Sequence, residues 1–481
     1  MKKKVCILGA GITGLSLGAY LSKNGYDVTI LEKEPVIGGM AGSFQHNGYT
    51  LDFGPHKIYS QIPGIIEEFH NITGKNNMLK IKKKTSLRLL GKYFDFPVRI
   101  FQVILGINPL KSVVLGAGFG ATKIKNLFSK KKIVTYEDYF IAGFGRPGYD
   151  LLFKDYAVKV WGDPKKLSEE LGRKRIPVPN IIDLIFSSSG KDSEGRELNA
   201  DYFYYPKNHG FAFVIESLNK KILAKKGEVI TNATISRIES SNGKISGITY
   251  TVDGEKNVKN TITPDFVVST IYLKDLISVM TPRPPSNVKA AADGLKYRAI
   301  LIIYLFVDKP RVMKDNFIFF PEKRYIFNRV SELNSFSPNV TKKGKSILIT
   351  EITCDYDGAL YNSDDAYLFR RVMDDLEDVG IVKEGEVSGF HVKKGERIYP
   401  IFDLEMRKRL ARIFDHLDKY DNMIMLGRQG LYNYNNTDHC IDMSMKASAY
   451  IDFYFKNPRK DSIAEWNNIR HKHFDNYRIV D

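Results

Sequence analysis

The sequence predicts an α/β fold in which a nucleotide-type βαβ unit is interrupted twice and rejoined twice. Three observations carry that expectation. Gly9, Gly11 and Gly14 stand between a short apolar run and a stretch of helical spacing. A second buried-strand pattern, Asp265 to Thr270 (DFVVST), returns after a long excursion. The C-terminal part from Asn422 reads as strand, loop and long helix, which suits a final return to the same sheet.

Val5 to Leu8 is the first strand, Ile12 to Asn24 has the spacing of a helix packed on it, Gly25 ends that helix, and Val28 to Leu31 is the second strand. From about Pro97 to Phe186 the pattern is helical. Strand signals return in Gly227 to Val252, where Asn242-Gly243 marks a tight turn between alternating strands. Ala299 to Val307 (AILIIYLFV) and Ser346 to Cys354 (SILITEITC) are the clearest members of a second strand-rich region. The expected organisation is a discontinuous domain over 1–80, 205–285 and 395–481, a mainly helical region over 81–204, and a β-rich domain over 286–394.

At 481 residues and 43% hydrophobic content the chain can fill two or three globular cores. The apolar run at Val5 to Leu8 breaks at once into glycines, so it does not read as a signal peptide. Three cysteines, Cys6, Cys354 and Cys440, suit a reducing compartment, and cytoplasm is the expected location. The formal net charge of +17 fits three readings: surface solubility, an anionic substrate, or an anionic membrane surface contacted peripherally. The basic residues are spread out and no recognition motif accompanies them, so nucleic acid is not an expected partner. No metal site is expected.

Lys82 to Lys84 and Lys130 to Lys132 bracket an apolar region, Val98 to Phe128, cut by Arg99, Lys111, Lys123 and Lys125. About 20 uninterrupted apolar residues are needed to span a bilayer, so this region does not span one. It can lie on a membrane or pack as a buried helical hairpin, and the hairpin is the expectation.

Gly9, Gly11 and Gly14 form G-x-G-x-x-G. The first glycine permits the tight turn, the second lets backbone approach a pyrophosphate, and the third lets the helix sit close to the strand. The helix N-terminus offers N–H donors to that anion. Glu32 ends the second strand, 18 residues after Gly14, where a carboxylate can accept from an adenosine ribose and would repel a 2′-phosphate. FAD and NAD share such a cradle.

The residues that follow, Lys33, Gly38, Gly39, Met40, Ala41 and Gly42, resemble the second flavin motif of the amine oxidase and protoporphyrinogen oxidase superfamily. That resemblance implies FAD and a Rossmann-like FAD-binding domain of the glutathione reductase/amine oxidase type, with an inserted helical region and a second mixed sheet. Phe53 to Ser60 (FGPHKIYS) is similar to a loop of the UDP-galactopyranose mutases, which implies that His56 lies near the flavin ring. A later histidine of that string is Tyr59 here. Gly427 to Ile441 (GRQGLYNYNNTDHCI) resembles the mutase motif G-R-x-x-x-Y-x-Y-x-x-x-D. By that resemblance Gly427, Arg428 and Asp438 contact the cofactor, Arg428 stabilises charge on the reduced ring, and Tyr434 meets a substrate diphosphate. Asn436 stands where bacterial members have an aspartate.

Tyr156 to Ile176, with Trp161, resembles the K-V-W segment of eukaryotic mutases, and Phe327 to Pro338 resembles another of their segments. The latter makes Arg329 a candidate diphosphate ligand, since a planar guanidinium can grip phosphate oxygens in a fork. An arginine expected before Glu351 is Thr350. The resemblance implies a flavoenzyme acting on a nucleotide sugar, in which N5 of reduced flavin bonds the sugar as UDP leaves. The other reading is an oxidoreductase that removes hydride from an amine, a porphyrinogen or a polyene, for which an apolar tunnel matters more than a diphosphate clamp. A scaffold in which FAD is only structural would give Arg428 and His56 nothing to do.

Overall fold

Five parallel strands form the sheet around which the first unit is built. In the computed structural model, which describes residues 2–96, 102–103, 106–128, 132–175, 201–254, 258–457, 462–477 and 479, they run in the order Met423–Met425, Phe266–Ser269, Lys4–Leu8, Asp27–Leu31 and Glu228–Ile230. The first strand is therefore central. It buries Val5, Cys6, Ile7 and Leu8, as a strand covered on both faces requires. The helix Ile12–Lys23 follows the glycine turn and buries every residue but Tyr20 and Lys23. Gly18 is the reason it lies so close to its neighbours: a Cβ there would stand 2.7 Å from Ile30 Cδ1 and 3.2 Å from Ile222 Cδ1.

This unit comprises Met1–Met78, Pro206–Leu295 and Glu405–Ile479. The two later strands, Phe266–Ser269 and Met423–Met425, return to the N-terminal side of the sheet, as the DFVVST and C-terminal patterns predicted. Ala233–Ser241 and Lys244–Val252 form the expected hairpin, with Asn242 at φ 49° and Gly243 at φ 73° in its turn. A short helix, Gly427–Gly430, occupies what was expected to be loop before the long helix Thr437–Lys456. Cys6, Cys354 and Cys440 are free and buried.

The second unit comprises Leu79–Tyr205 and Lys296–Leu404. Its seven-stranded sheet runs Val387–Pro400, Tyr297–Val307, Ser346–Cys354, Arg329–Glu332, Phe317–Phe319, Thr85–Leu89 and Lys92–Asp95. Every pairing is antiparallel except Phe317–Phe319 with Thr85–Leu89. Alternate residues of Tyr297–Val307 (Ala299, Leu301, Ile303, Leu305, Val307) enter a core that Leu368, Val372 and Leu376 of the helix Asp365–Asp378 complete. The opposite face is more polar. It carries Arg329 and Glu351, directly paired across the strands.

Within the stretch expected to be helical, Thr85–Leu89 and Lys92–Asp95 are strands of this sheet, while helices occupy Pro109–Phe128, Tyr136–Leu152, Lys154–Val160 and Glu169–Arg175. The predicted helical pattern over 97–101, 104–105, 129–131 and 176–186 lies outside the described residues. The buried-hairpin expectation needs correction. Pro109–Phe128 does pack on Tyr136–Leu152, closely enough that a Cβ on Gly118 would lie 2.7 Å from Pro147 Cδ. Its other face leaves Leu110, Val113, Val114 and Ile124 exposed.

Candidate functional site

Backbone geometry makes the cradle. Gly9 sits at φ +100°, a conformation L side chains rarely adopt, and its Cβ would lie 2.5 Å from Thr270 Oγ1. Thr270 in turn donates to Leu8 O at 2.8 Å, locking the turn to the neighbouring strand end. A Cβ on Gly14 would stand 2.0 Å from Gly9 O, so only glycine lets the helix start this close to the strand. Gly11 is different. Nothing lies within 4 Å of where its Cβ would be. It caps the helix with no side-chain hydrogen bond, and no acidic residue stands in the first turn. Open space therefore faces the N–H groups of a helix N-terminus, which suits an anionic group such as a pyrophosphate.

Three further pieces of chain converge on this turn. Gly38 bridges to Gly11 and donates its N–H to Ala10 O at 2.8 Å. The Ala10 N–H donates to Glu32 Oε2 (2.7 Å), and the Glu34 N–H to Glu32 Oε1 (2.9 Å). Those bonds hold the carboxylate at the strand end, each oxygen keeping a second lone pair. Burial pushes the Glu32 carboxyl above its usual range, and the backbone donors oppose that shift. Gly427, at φ +78°, is packed so closely on Thr13 that a Cβ would lie 2.8 Å from its Oγ1. This seats the C-terminal motif against the first turn of the helix. Lys33 is exposed, Met40 is half-buried and Ala41 is buried.

The His56 loop joins the same cluster. His56 Nε2 lies 2.9 Å from Met40 O; a carbonyl only accepts, so Nε2 carries the proton and Nδ1 is the acceptor of the neutral ring. The ring packs on Phe211 at 5.1 Å between centroids. Asp52, fully buried, accepts from Ser43 Oγ (2.7 Å) and from the Phe211 N–H (3.0 Å), which holds that aromatic in place. Gln429 Nε2 donates to Met40 Sδ at 3.3 Å. Ser60 Oγ donates to Asp438 Oδ2 at 2.8 Å, tying the loop to the helix Thr437–Lys456.

Asp438 Oδ1 and Asn435 Oδ1 are buried acceptors without a hydrogen-bond donor. Such atoms call for hydroxyl or N–H donors from a bound group. The open cradle at Gly11 and these two acceptors fit a dinucleotide that carries a polyol, which is the chemistry of FAD.

Of the residues assigned from sequence, Gly9, Gly11, Gly14, Glu32, Gly38, Gly39, Met40, Ala41, His56, Gly427, Arg428, Tyr434 and Asp438 lie in this unit, and Arg329 lies in the other. Tyr434 is fully buried, with the Arg428 guanidinium 5.2 Å above its ring. Its ring supports the arginine in this structure. Arg329 grips the buried Glu351 carboxylate with Nε and Nη2, the latter at 2.8 Å, and rests near the rings of Phe317 and Phe319. The fork expected for phosphate is thus engaged by a carboxylate. Trp161 is buried, with the Arg175 guanidinium 5.5 Å from its ring. Sequence reasoning missed Thr13, Ser60, Thr270 and Gln429 as parts of the cluster. Each stands inside a stretch with a signal of its own: Thr13 in the glycine motif, Ser60 in the His56 loop, Thr270 at the end of DFVVST and Gln429 in the C-terminal motif.

Residues 7–69 match the NAD(P)-binding Rossmann-like domain, and residues 166–394 match the flavin containing amine oxidoreductases. The crystal structure of reduced UDP-galactopyranose mutase superposes with a TM-score of 0.79 over 96% of both chains at 18% identity. A candidate protoporphyrinogen oxidase from Exiguobacterium sp. 255-15 gives 0.70 over 94% of this chain and 99% of that one, at 14% identity. At these identities the likeness is one of fold. The 4,4'-diapophytoene desaturase of Staphylococcus aureus is 32% identical over 97 residues, 20% of this chain and 19% of the desaturase. The chain therefore spans about a fifth of that curated relative. The fold is the one the glycine spacing and returning strands predicted, and FAD is its cofactor. Residues 166–394 thus match a flavin-containing enzyme family, and the fold is that of FAD-dependent, amine oxidase-type enzymes.

Proposed function

We propose that the protein is a flavoenzyme acting on a nucleotide sugar in the manner of a UDP-galactopyranose mutase. One observation carries this reading. The two stretches with mutase-like sequence, the His56 loop and the Gly427 to Asp438 motif, are joined to each other by Ser60 to Asp438 and to the Met40 backbone and side chain by His56 and Gln429. A shared resemblance in sequence thus corresponds to one physical cluster. The fold likeness to the reduced mutase supports it further.

Bound reduced flavin supplies an electron-rich nitrogen suited to attack at an anomeric carbon. The chain's own residues hold and tune the rest. Gly11 and the helix N-terminus bind the pyrophosphate, Glu32 takes the adenosine ribose, and Asp438 accepts from the cofactor's polyol. Arg428, carried on the Tyr434 ring, would supply a permanent positive charge to stabilise a reduced flavin. His56, oriented by its Nε2–H bond to Met40 O, is the proposed neighbour of the flavin ring. Arg329 is the proposed diphosphate ligand of the sheet unit, where phosphate competes with Glu351 for the guanidinium. On this reading Met1–Met78, Pro206–Leu295 and Glu405–Ile479 form the FAD-binding domain, and the sheet unit contributes substrate recognition.

The test is conversion of UDP-galactopyranose by the purified protein after reduction with dithionite, followed by chromatography of the nucleotide sugars. Furanose product formed only by the reduced protein supports the proposal; no UDP binding and no product overturns it. The match to the diapophytoene desaturase favours a second reading, hydride removal from a polyene. Flavin bleaching by an apolar polyene, with no response to UDP-sugars, would establish that one instead.

A further inference from the structure

We propose that the helix Pro109–Phe128 is a docking surface for an anionic lipid bilayer. Its outward face carries Leu110, Val113, Val114 and Ile124, which are 77%, 70%, 57% and 61% exposed. With the exposed Ala117 and Ala121 they fall within about 100° of one another on a helical wheel, so they form a single stripe. The side that packs on Tyr136–Leu152, through Gly118 against Pro147 and Thr122 against Gly145, lies about 110° round the wheel from the centre of that stripe. Four large apolar side chains on one exposed stripe are more than the scatter of single residues that ordinary surfaces show.

Charge selects the occupant. The helix contains Lys111, Lys123 and Lys125 and no acidic residue, and the sequence continues directly into Lys130-Lys131-Lys132. Lys111 and Lys125 are exposed, on the flank of the apolar stripe. A second copy pairing by a two-fold axis would bring lysine-bearing faces together, each on a chain of net charge +17. An anionic headgroup layer instead meets the lysines with opposite charge while the stripe enters the acyl boundary. The helix lies in the interface plane and does not cross it; among the described residues no helix is long and apolar enough to do so.

Vesicle sedimentation of the FAD-loaded full chain tests this, using phosphatidylcholine vesicles with and without phosphatidylglycerol, at low and high salt. Binding to the anionic vesicles, lost at high salt and absent with phosphatidylcholine alone, is the expected result. Lys111→Ala with Lys125→Ala is expected to weaken partition by about fivefold per lysine. Leu110→Ser, Val113→Ser and Val114→Ser together are expected to weaken it by at least about thirtyfold, with the flavin spectrum unchanged. Absence of binding to anionic vesicles overturns the proposal. So does a stable dimer by light scattering that Val113→Lys dissociates, which would assign the stripe to a second copy.

Discussion

The two units position their charged groups by different means. In the cradle unit the work falls to backbone: Gly9, Gly14, Gly38 and Gly427 allow contacts that any Cβ would block, and N–H groups hold Glu32. In the sheet unit it falls to side chains. Glu351 fixes Arg329, and Lys159 Nζ donates to Phe320 O (2.6 Å), Glu322 O (3.1 Å) and Phe327 O (2.7 Å), clamping the segment that leads into Arg329–Glu332. Where those four glycines pack, a backbone-built site tolerates no added atom. A side-chain-built site tolerates substitution when both partners change together.

The largest effect should come from breaking the backbone rule. Gly14→Val puts a Cβ 2.0 Å from Gly9 O, and the strand and helix must separate to admit it. A loss above about 4 kcal/mol is expected, read as loss of soluble, yellow protein. Next is Arg329→Ala, which strands the Glu351 carboxylate inside the unit at a cost of about 3 kcal/mol in denaturant unfolding. Arg329→Met with Glu351→Met should recover most of that stability, which no single repair of Gly14→Val could do. Equal losses in the single and double variants would erase the distinction between the units.

Lys159 sharpens the comparison through pH. Burial lowers its ammonium to about 7, well below the value of about 10.4 expected in the unfolded chain. Between those values the unfolded chain binds the extra proton, so stability should rise with pH from about 7 toward 10, with a slope of at most about 1.4 kcal/mol per pH unit. Lys159→Met should flatten that part of the profile. An unchanged slope would mean the three carbonyls keep the ammonium charged. The smallest effect is expected from His56→Ala: about 1 kcal/mol in stability from the lost bond to Met40 O, and about tenfold slower conversion of the nucleotide sugar.

The same contrast governs what could be read without coordinates. The cradle was legible because much of its constraint is local: Gly14 is required by Gly9 O one turn away and Gly9 by its own φ of +100°, and the requirement is written as spacing. The return of Phe266–Ser269 was legible because a strand buried on both faces has few alternatives to a continuous apolar run. The Arg329 to Glu351 pair was not. It depends on strand register, which places the two residues opposite each other across the ladder. Burial of Tyr434 under Arg428 was hidden for a related reason, since the motif fixes the spacing of the two but not which side chain covers the other. Exposure of Leu110, Val113, Val114 and Ile124 escaped because helical periodicity reports a stripe without saying what covers it.

The most direct measurement compares FAD binding by the natural chain and by Gly11→Ala, each stripped of flavin and titrated by fluorescence quenching. The Gly11 Cβ meets nothing within 4 Å, so the apo form should melt at the natural temperature. An added methyl would still occupy the space assigned to the pyrophosphate, and affinity should fall by about a hundredfold, about 2.7 kcal/mol. Unchanged affinity at an unchanged melting temperature would contradict the cradle.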